Sequence, residues 1–112
     1  MNSEKHLILI KGEDKTEQID YCQYVNGKWI VTYHKNSTEY SYKYHNVEWY
    51  KEPKTINHET SVVYELGQPL SGIVKILDFG NYIKIVFRKG NEKVYKRSNI
   101  IIEEACLSNR NA

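Results

Sequence analysis

Basic side chains gather in residues 75–97 and alternate there with apolar and aromatic ones. Seven Lys and Arg residues stand against two acidic residues in this stretch, a local charge of +5 in 23 residues, whereas residues 1–57 balance eight Lys against eight acidic residues. Because successive side chains of a strand point to opposite faces, the pattern predicts a phosphate-binding face on one hairpin, flanked by rings that stack on bases. The residues predicted to bind nucleic acid are Lys84, Arg88, Lys93, Lys96 and Arg97 for phosphate contacts, with Tyr82 and Tyr95 for stacking.

The same basic residues also fit a second interpretation, a solvated strand face, since Lys commonly protects exposed sheet edges from aggregation. The net charge of +2 is too small to indicate any partner. The sequence pI of about 8.4 lies below the strongly basic range of dedicated nucleic-acid-binding domains. Both interpretations of the basic stretch therefore stay open at this point.

Aromatic residues are crowded into residues 21–50, which hold seven Tyr and two Trp. A small barrel cannot bury so many large rings, so some must reach the surface. They fill an interface between two packed halves of the chain, or they form an exposed platform for bases or an extended peptide. The residues predicted for protein interaction are Trp29, Tyr40, Tyr42, Tyr44 and Trp49.

Residue types that could support catalysis or metal binding are scattered. The sequence contains no G-x-S-x-G, Walker A or H-E-x-x-H motif. Four histidines lie at spacings that bring no second ligand to the same face, and two cysteines match no metal or redox spacing, which is typical of free thiols in a reducing compartment. These residues are His6, His34, His45, His58, Cys22 and Cys106. We therefore expect no enzymatic activity, no cofactor and no metal.

An internal repeat organises the elements that carry these residues. A shift of 53 residues lays the segment from Gly27 onto the segment from Gly80, and YKYHNV at 42–47 then matches YKRSNI at 95–100. A shift of 55 matches HLILIKG at 6–12 with SVVYELG at 61–67. The sequence therefore predicts two related units joined in tandem.

Each repeat is predicted to contain five strands, from period-two alternation and from turn signals such as Asn26-Gly27 and Gly80-Asn81. The expected strands are 6–11, 18–25, 28–35, 38–44 and 46–51 in the first repeat, and 61–66, 71–79, 81–88, 92–98 and 99–104 in the second. Five short strands in so few residues favour a small, partly open barrel. The predicted fold is all-β, with two tandem five-stranded SH3-like (Tudor/KOW-like) barrels.

The predicted boundaries follow from the strands and from Pro53, which ends the preceding strand. They are a first SH3-like repeat at 1–53, a linker at 54–60, a second SH3-like repeat at 61–107 and a polar tail at 108–112. No apolar run is long enough for a membrane span, and residues 1–6 lack the features of a signal peptide. We therefore expect no contact with a membrane and a cytoplasmic location.

The strand pattern of residues 21–50 and 75–102 resembles the N-terminal region of some bacterial superfamily-1 helicases with an AAA-type ATPase core. The resemblance covers most of the chain but none of the motor, whose defining motifs are absent here. It implies an accessory module that helps a DNA or RNA motor engage its substrate or partners, and it assigns no catalytic residue. The repeats also look like Tudor and KOW modules, although no aromatic cage or KOW signature maps onto them residue by residue.

Two functional hypotheses follow. The first is a non-catalytic module that binds DNA or RNA through the basic hairpin of the second repeat. The second is a protein-protein interaction module that uses the Tyr/Trp-rich surface of the first repeat to bind another domain, such as a helicase core, or a second copy of the chain. Dependence of binding on salt favours the first, because binding to phosphates releases counterions.

Overall fold

The computed structural model describes residues 1–105 and shows an all-β chain, as expected from the alternation of side chains. The helical segments among these residues are five 3-10 turns of three residues each. The chain divides into two compact units, Met1–Pro53 and Lys54–Ala112. The predicted end of the second repeat, at residue 107, and the predicted tail at 108–112 lie outside the described residues. No helix in residues 1–105 combines the length and apolar character needed to cross a bilayer.

The first unit consists of two three-stranded antiparallel sheets, ordered β2-β1-β6 and β3-β4-β5. Its strands are β1 (His6–Ile10), β2 (Glu13–Asp14), β3 (Ile19–Val25), β4 (Lys28–Tyr33), β5 (Glu39–Lys43) and β6 (Val47–Lys51). A two-residue loop joins β3 to β4, and its Asn26 and Gly27 both take positive φ (50° and 81°), as tight hairpin turns require. The core between the sheets consists of Ile8, Ile10, Ile19, Cys22, Val31 and Val47.

The second unit has a four-stranded sheet, ordered β12-β11-β10-β7, and a three-stranded sheet, ordered β13-β8-β9. Its strands are β7 (Lys54–Ile56), β8 (Ser61–Glu65), β9 (Gln68–Pro69), β10 (Ile73–Asp78), β11 (Tyr82–Phe87), β12 (Glu92–Lys96) and β13 (Ile100–Glu104). Residues 54–60 are thus not a plain linker, because β7 pairs with β10 and a 3-10 turn follows at His58–Thr60. The core of this unit consists of Ile56, Val63, Ile76, Ile83, Ile85, Tyr95 and Ile100.

Apart from β7, the two units repeat the same strand order, and the repeat includes matching irregularities in strand pairing. A register shift interrupts the β3–β4 pairing between Ile19 and Tyr21, and the β10–β11 pairing shifts at the corresponding place, between Ile73 and Lys75. A 3-10 turn precedes the last strand of both units, at Tyr44–Asn46 and Arg97–Asn99.

The pairing of strands shows that the sequence alignment of the two repeats is displaced by one residue where β4 is aligned with β11. Trp29 pairs with Tyr42, and the equivalent pair in the second unit is Ile83 with Tyr95. Trp29 therefore corresponds to Ile83 and not to Tyr82, as the ungapped shift of 53 had it. The loop after β4 spans residues 34–38 and the loop after β11 spans only 88–91, which accounts for the one-residue slip.

Candidate functional site

Lys84, the first of the predicted phosphate contacts, is buried. Only 1% of the residue is exposed, and its Nζ lies 3.8 Å from an Oε2 of Glu92. Alternation correctly places Lys84 on the face of β11 opposite Ile83 and Ile85, but that face is not open to solvent at this position. A buried and paired ammonium cannot reach a ligand in solution, so the structure does not favour Lys84 as a phosphate contact.

Tyr95, one of the two predicted stacking residues, belongs to the core of the second unit. It pairs with Ile83 and is only 6% exposed. Burial raises the pKa of its hydroxyl above the usual value for tyrosine. A ring held inside the core cannot stack on a base, so the structure does not favour Tyr95 as a stacking residue. Tyr82, on the other face, is half-buried.

Lys93 and Lys96 are exposed but lie on opposite faces of β12. Lys93 stands opposite Ile85, on the inner face, and its Nζ lies 4.9 Å from the centre of the Tyr95 ring. Lys96 stands opposite Tyr82, on the outer face. The two ammonium groups therefore do not continue one row.

The two predicted arginines lie outside strands β11 and β12. Arg97 begins the 3-10 turn before β13, and its Nη1 lies 2.7 Å from an Oδ1 of Asp78. Arg88 is exposed in the loop after β11. The basic residues of the second unit thus do not form the continuous phosphate-binding face that the sequence predicted.

The aromatic residues predicted for protein interaction share one face of the sheet β3-β4-β5 or border it. Trp29 pairs with Tyr42, and Tyr40 pairs with the core residue Val31, so all these rings point to the core side. The core is too small to enclose them: Tyr40 is 53% exposed and Tyr44 is 63% exposed. Trp29, Tyr42 and Trp49 are half-buried and pack against the core with their inner parts.

Three of the tyrosines line an open cleft at the end of this sheet, which we call the tyrosine cleft. Its volume is about 830 Å³, within the range of small-molecule and cofactor sites. The Tyr33 and Tyr40 rings meet edge to face with centroids 5.5 Å apart, and the Tyr40 and Tyr42 centroids lie 6.3 Å apart. The lining residues are Lys15, Gln18, Tyr33, His34, Lys35, Asn36, Thr38, Tyr40 and Tyr42.

The hydroxyl groups of Tyr33 and Tyr42 lie 2.9 Å apart and form a hydrogen bond at the cleft. Burial, followed by this hydrogen bond, holds the pKa of Tyr33 well above its usual range. Tyr33 therefore stays neutral at physiological pH and can donate or accept a hydrogen bond.

Two lysines and a histidine stand at the rim of the tyrosine cleft, and two of these three side chains have acidic neighbours. The Nζ of Lys15 lies 3.1 Å from a carboxylate oxygen of Glu13, and the Nδ1 of His34 lies 3.8 Å from an oxygen of Asp20. Lys35 is exposed and starts the 3-10 turn Lys35–Ser37 beside the cleft. The cleft thus combines exposed π faces with a modest positive charge, an arrangement suited to a flat ring attached to an anionic group.

Local structure explains how Lys15 reaches a cleft built by the other sheet. Thr16 is buried, and its Oγ1 accepts a hydrogen bond of 2.8 Å from the backbone of Ile8 while donating one of 2.6 Å to Asp14. The backbone N–H of Lys15 donates to the Ile8 carbonyl. These bonds fix the segment after β2, so Lys15 is held beside the tyrosines.

A second aromatic row lies near the start of β4. The Tyr24 ring lies 5.4 Å from that of Trp29 and 5.7 Å from that of Tyr44, and Trp29 meets Trp49 at 5.9 Å. A smaller cleft of about 430 Å³ lies beside this row. Lys51 already lies 4.2 Å from the centre of the Trp49 ring, so that face of the indole is taken.

The sequence-based site predictions did not include several contributors to these aromatic surfaces, among them Lys15, Tyr24, Tyr33 and Lys35. Tyr33 and Tyr24 were detectable in principle, since alternation places Tyr33 on the same face as Trp29. Lys15 and Lys35 carry no such signal, because both lie in turns that the fold brings to the cleft. Among residues 1–105, no group of three His, Cys, Asp or Glu side chains is placed to hold a metal ion.

Comparison with known protein families, with curated protein sequences and with solved structures gave no match.

Proposed function

We propose that this chain is a non-catalytic module that binds single-stranded DNA or RNA at the tyrosine cleft of its first unit. The observation that carries the proposal is the grouping of three tyrosine rings, one of them 53% exposed, with lysines at the rim. Aromatic faces that stack on successive bases, together with cations near the backbone, are the usual means of binding single strands. In this proposal the binding surface moves from the basic hairpin of the second unit to the first unit.

Each cleft residue has a distinct role in the proposal. Tyr40, the most exposed ring of the cleft, stacks on a base. The hydroxyls of Tyr33 and Tyr42 offer hydrogen bonds to base edges or to the sugar, because a tyrosine hydroxyl can both donate and accept a hydrogen bond. Lys35 and Lys15 lie near the phosphate that leads into the stacked nucleotide.

The proposal also covers the fold of each unit and the larger protein in which the module acts. Each unit is proposed to be a small, partly open barrel of the SH3-like class, with the binding surface at the open end of the sheet. The resemblance to the N-terminal region of bacterial helicases suggests a module that delivers a strand to a cytoplasmic motor. That setting is a prediction from the resemblance alone.

The test is a fluorescence-anisotropy titration with labelled single-stranded and double-stranded oligonucleotides at low and moderate salt. We expect single strands to bind more tightly, and we expect Tyr40→Ala and Lys35→Glu to weaken binding. Lys96→Glu is the matched charge control, since Lys96 is exposed on the outer face of β12. Loss of binding in Lys96→Glu with normal binding in Lys35→Glu would return the site to the second unit.

A protein-protein interaction module is the second candidate, and the exposure of the second aromatic row favours it. Tyr24 and Tyr44 are 52% and 63% exposed and contact each other edge to face. Aromatic anchors of this kind dominate protein interfaces. If no oligonucleotide binds even at low salt, and Tyr44→Ala abolishes capture of a protein partner, this candidate replaces the first.

A further inference from the structure

One edge of the first unit lacks a strand that the second unit possesses. In the second unit, β7 pairs along β10 through Ile56 with Ile76 and Lys54 with Asp78. The first unit has no counterpart of β7 among the described residues, so its equivalent strand, β3, forms the edge of a three-stranded sheet. The repeat therefore shows that a strand of this shape, bulge included, accepts one more strand on this side.

At the start of β3, the carbonyl of Ile19 accepts a hydrogen bond from the N-terminal ammonium of Met1. Beyond this point the edge of β3 carries no charge over five residues. Residues 21–25 read Tyr-Cys-Gln-Tyr-Val, and the side chains of Tyr21, Tyr24 and Val25 are 41% to 52% exposed. Other edge strands in residues 1–105 hold shorter uncharged runs, bounded by Lys, Glu or Asp or broken by Pro69. Charges and prolines on edge strands prevent unwanted pairing, and their absence marks an edge that can pair.

The backbone of this edge presents hydrogen-bonding groups at alternate residues. Val25 and Lys28 flank the two-residue loop and form a hydrogen-bonded pair, so Gln23 also bonds to β4. Cys22 and Tyr24 consequently direct their N–H and C=O groups outward. The corresponding residues of β10, Ile76 and Asp78, are the ones that stand opposite Ile56 and Lys54 in β7.

We propose that the β3 edge binds the β3 edge of a second copy of this chain, which gives a two-fold symmetric dimer with a continuous six-stranded sheet. Antiparallel pairing centred on Gln23 aligns the outward groups of Cys22 with those of the partner's Tyr24. Gln23 then stands opposite the partner's Gln23, and Tyr21 stands opposite the partner's Val25. The segment is complementary to itself in this register, because no charged residue faces another across the axis.

The small contact predicts a weak dimer. Pairing of five residues buries less surface than a standard protein interface, so we expect a dissociation constant on the order of 100 μM. Dimerisation does not depend on the proposed nucleic-acid site, since Tyr33, Tyr40 and Tyr42 lie on β4 and β5. The two proposals can therefore fail separately.

The experiment is analytical ultracentrifugation over a concentration series without nucleic acid, combined with cysteine trapping. In a Cys106→Ser background, Gln23→Cys should form a disulfide-linked dimer on mild oxidation, because directly opposite residues in a non-hydrogen-bonded pair lie about 4.5 Å apart at Cα. Ser41→Cys in the same background is the matched control, since Ser41 lies in the same row of side chains but on the other edge strand. We expect no linked dimer from it.

A charge at the symmetry axis gives a second readout that does not depend on oxidation. Gln23→Lys places like charges opposite each other and should weaken the dimer roughly fivefold. Exposed Gln23 tolerates this change, which a thermal melt verifies. A monomer at all concentrations, a dimer unaffected by Gln23→Lys, or a dimer lost instead in Trp49→Ala would each overturn the proposal.

Discussion

Replacing Tyr40 with alanine removes the most exposed ring of the tyrosine cleft and leaves the core intact. Tyr40 is 53% exposed on the edge strand β5, and none of the buried core residues is changed. Its ring loses contacts with Tyr33, at 5.5 Å, and Tyr42, at 6.3 Å. Such aromatic pairs contribute about 0.5–1.5 kcal/mol each, so we expect the free energy of unfolding to fall by about 1–3 kcal/mol without loss of the fold.

Loss of the Tyr40 ring should also weaken the binding of a single-stranded oligonucleotide. Stacking of one base on an aromatic ring contributes about 1–3 kcal/mol by alanine substitution, which corresponds to roughly a 5- to 150-fold increase in Kd. Anisotropy titration measures this ratio directly. Tyr40→Phe keeps the π face and should bind within about twofold of the unchanged protein.

The matched control is Tyr21→Ala. Tyr21 is 47% exposed, close to the exposure of Tyr40, but it pairs with Thr32 and so lies on the opposite face of the same sheet. We expect its Kd to be unchanged. An equal loss of binding in both variants, or no loss in Tyr40→Ala, would refute the assignment of the tyrosine cleft.

Three further predictions concern the phosphate contacts, the buried Lys84 and the raised pKa of Tyr33. If Lys15 and Lys35 are the phosphate neighbours, the slope of log Kobs against log salt for single strands should be about −1.4, whereas five contacts from the basic hairpin would give about −3.5. Lys84→Ala should lower the free energy of unfolding, measured in urea, by about 2 kcal/mol, because it leaves a cavity and removes the partner of Glu92. Lys96 is exposed, so Lys96→Ala should change the free energy of unfolding by less than about 0.5 kcal/mol. Equal effects of the two substitutions would contradict the burial of Lys84. The pKa of Tyr33 is raised in the folded protein, so the unfolded chain loses this proton first and stability should fall as pH rises above about 10. Tyr33→Phe should make that fall shallower, and an unchanged fall in urea titrations across this pH range would contradict the assignment.

Alternation and turn chemistry predicted the strands well because both act locally. The Asn26-Gly27 loop and the alternating residues around it place β3 and β4 where the sequence indicated. β7 was missed because Pro53 and the polar residues after it are typical of a linker, and only the partner strand β10 gives Lys54–Ile56 a reason to be extended.

Burial of the candidate site residues could not be predicted from the sequence, because burial depends on the rest of the fold. Alternation states that Lys84 and Ile83 point to opposite faces, but it does not state which faces are covered, and both residues are buried. Tyr95 was assigned to the surface for the same reason. The tyrosine cleft could be predicted only in part, because Tyr33, Tyr40 and Tyr42 belong to the detectable aromatic cluster, whereas Lys15 and Lys35 reach it through turns.

The most direct test of the central claim is a two-dimensional ¹H–¹⁵N NMR titration of the full chain with a short single-stranded oligonucleotide. We expect the amide signals that shift most to belong to the lining of the tyrosine cleft, around Lys15, Tyr33–Lys35 and Tyr40–Tyr42. The signals of Tyr21 and of the second unit should change little. Shifts concentrated at residues 88–97, or no shifts at low salt, would contradict it.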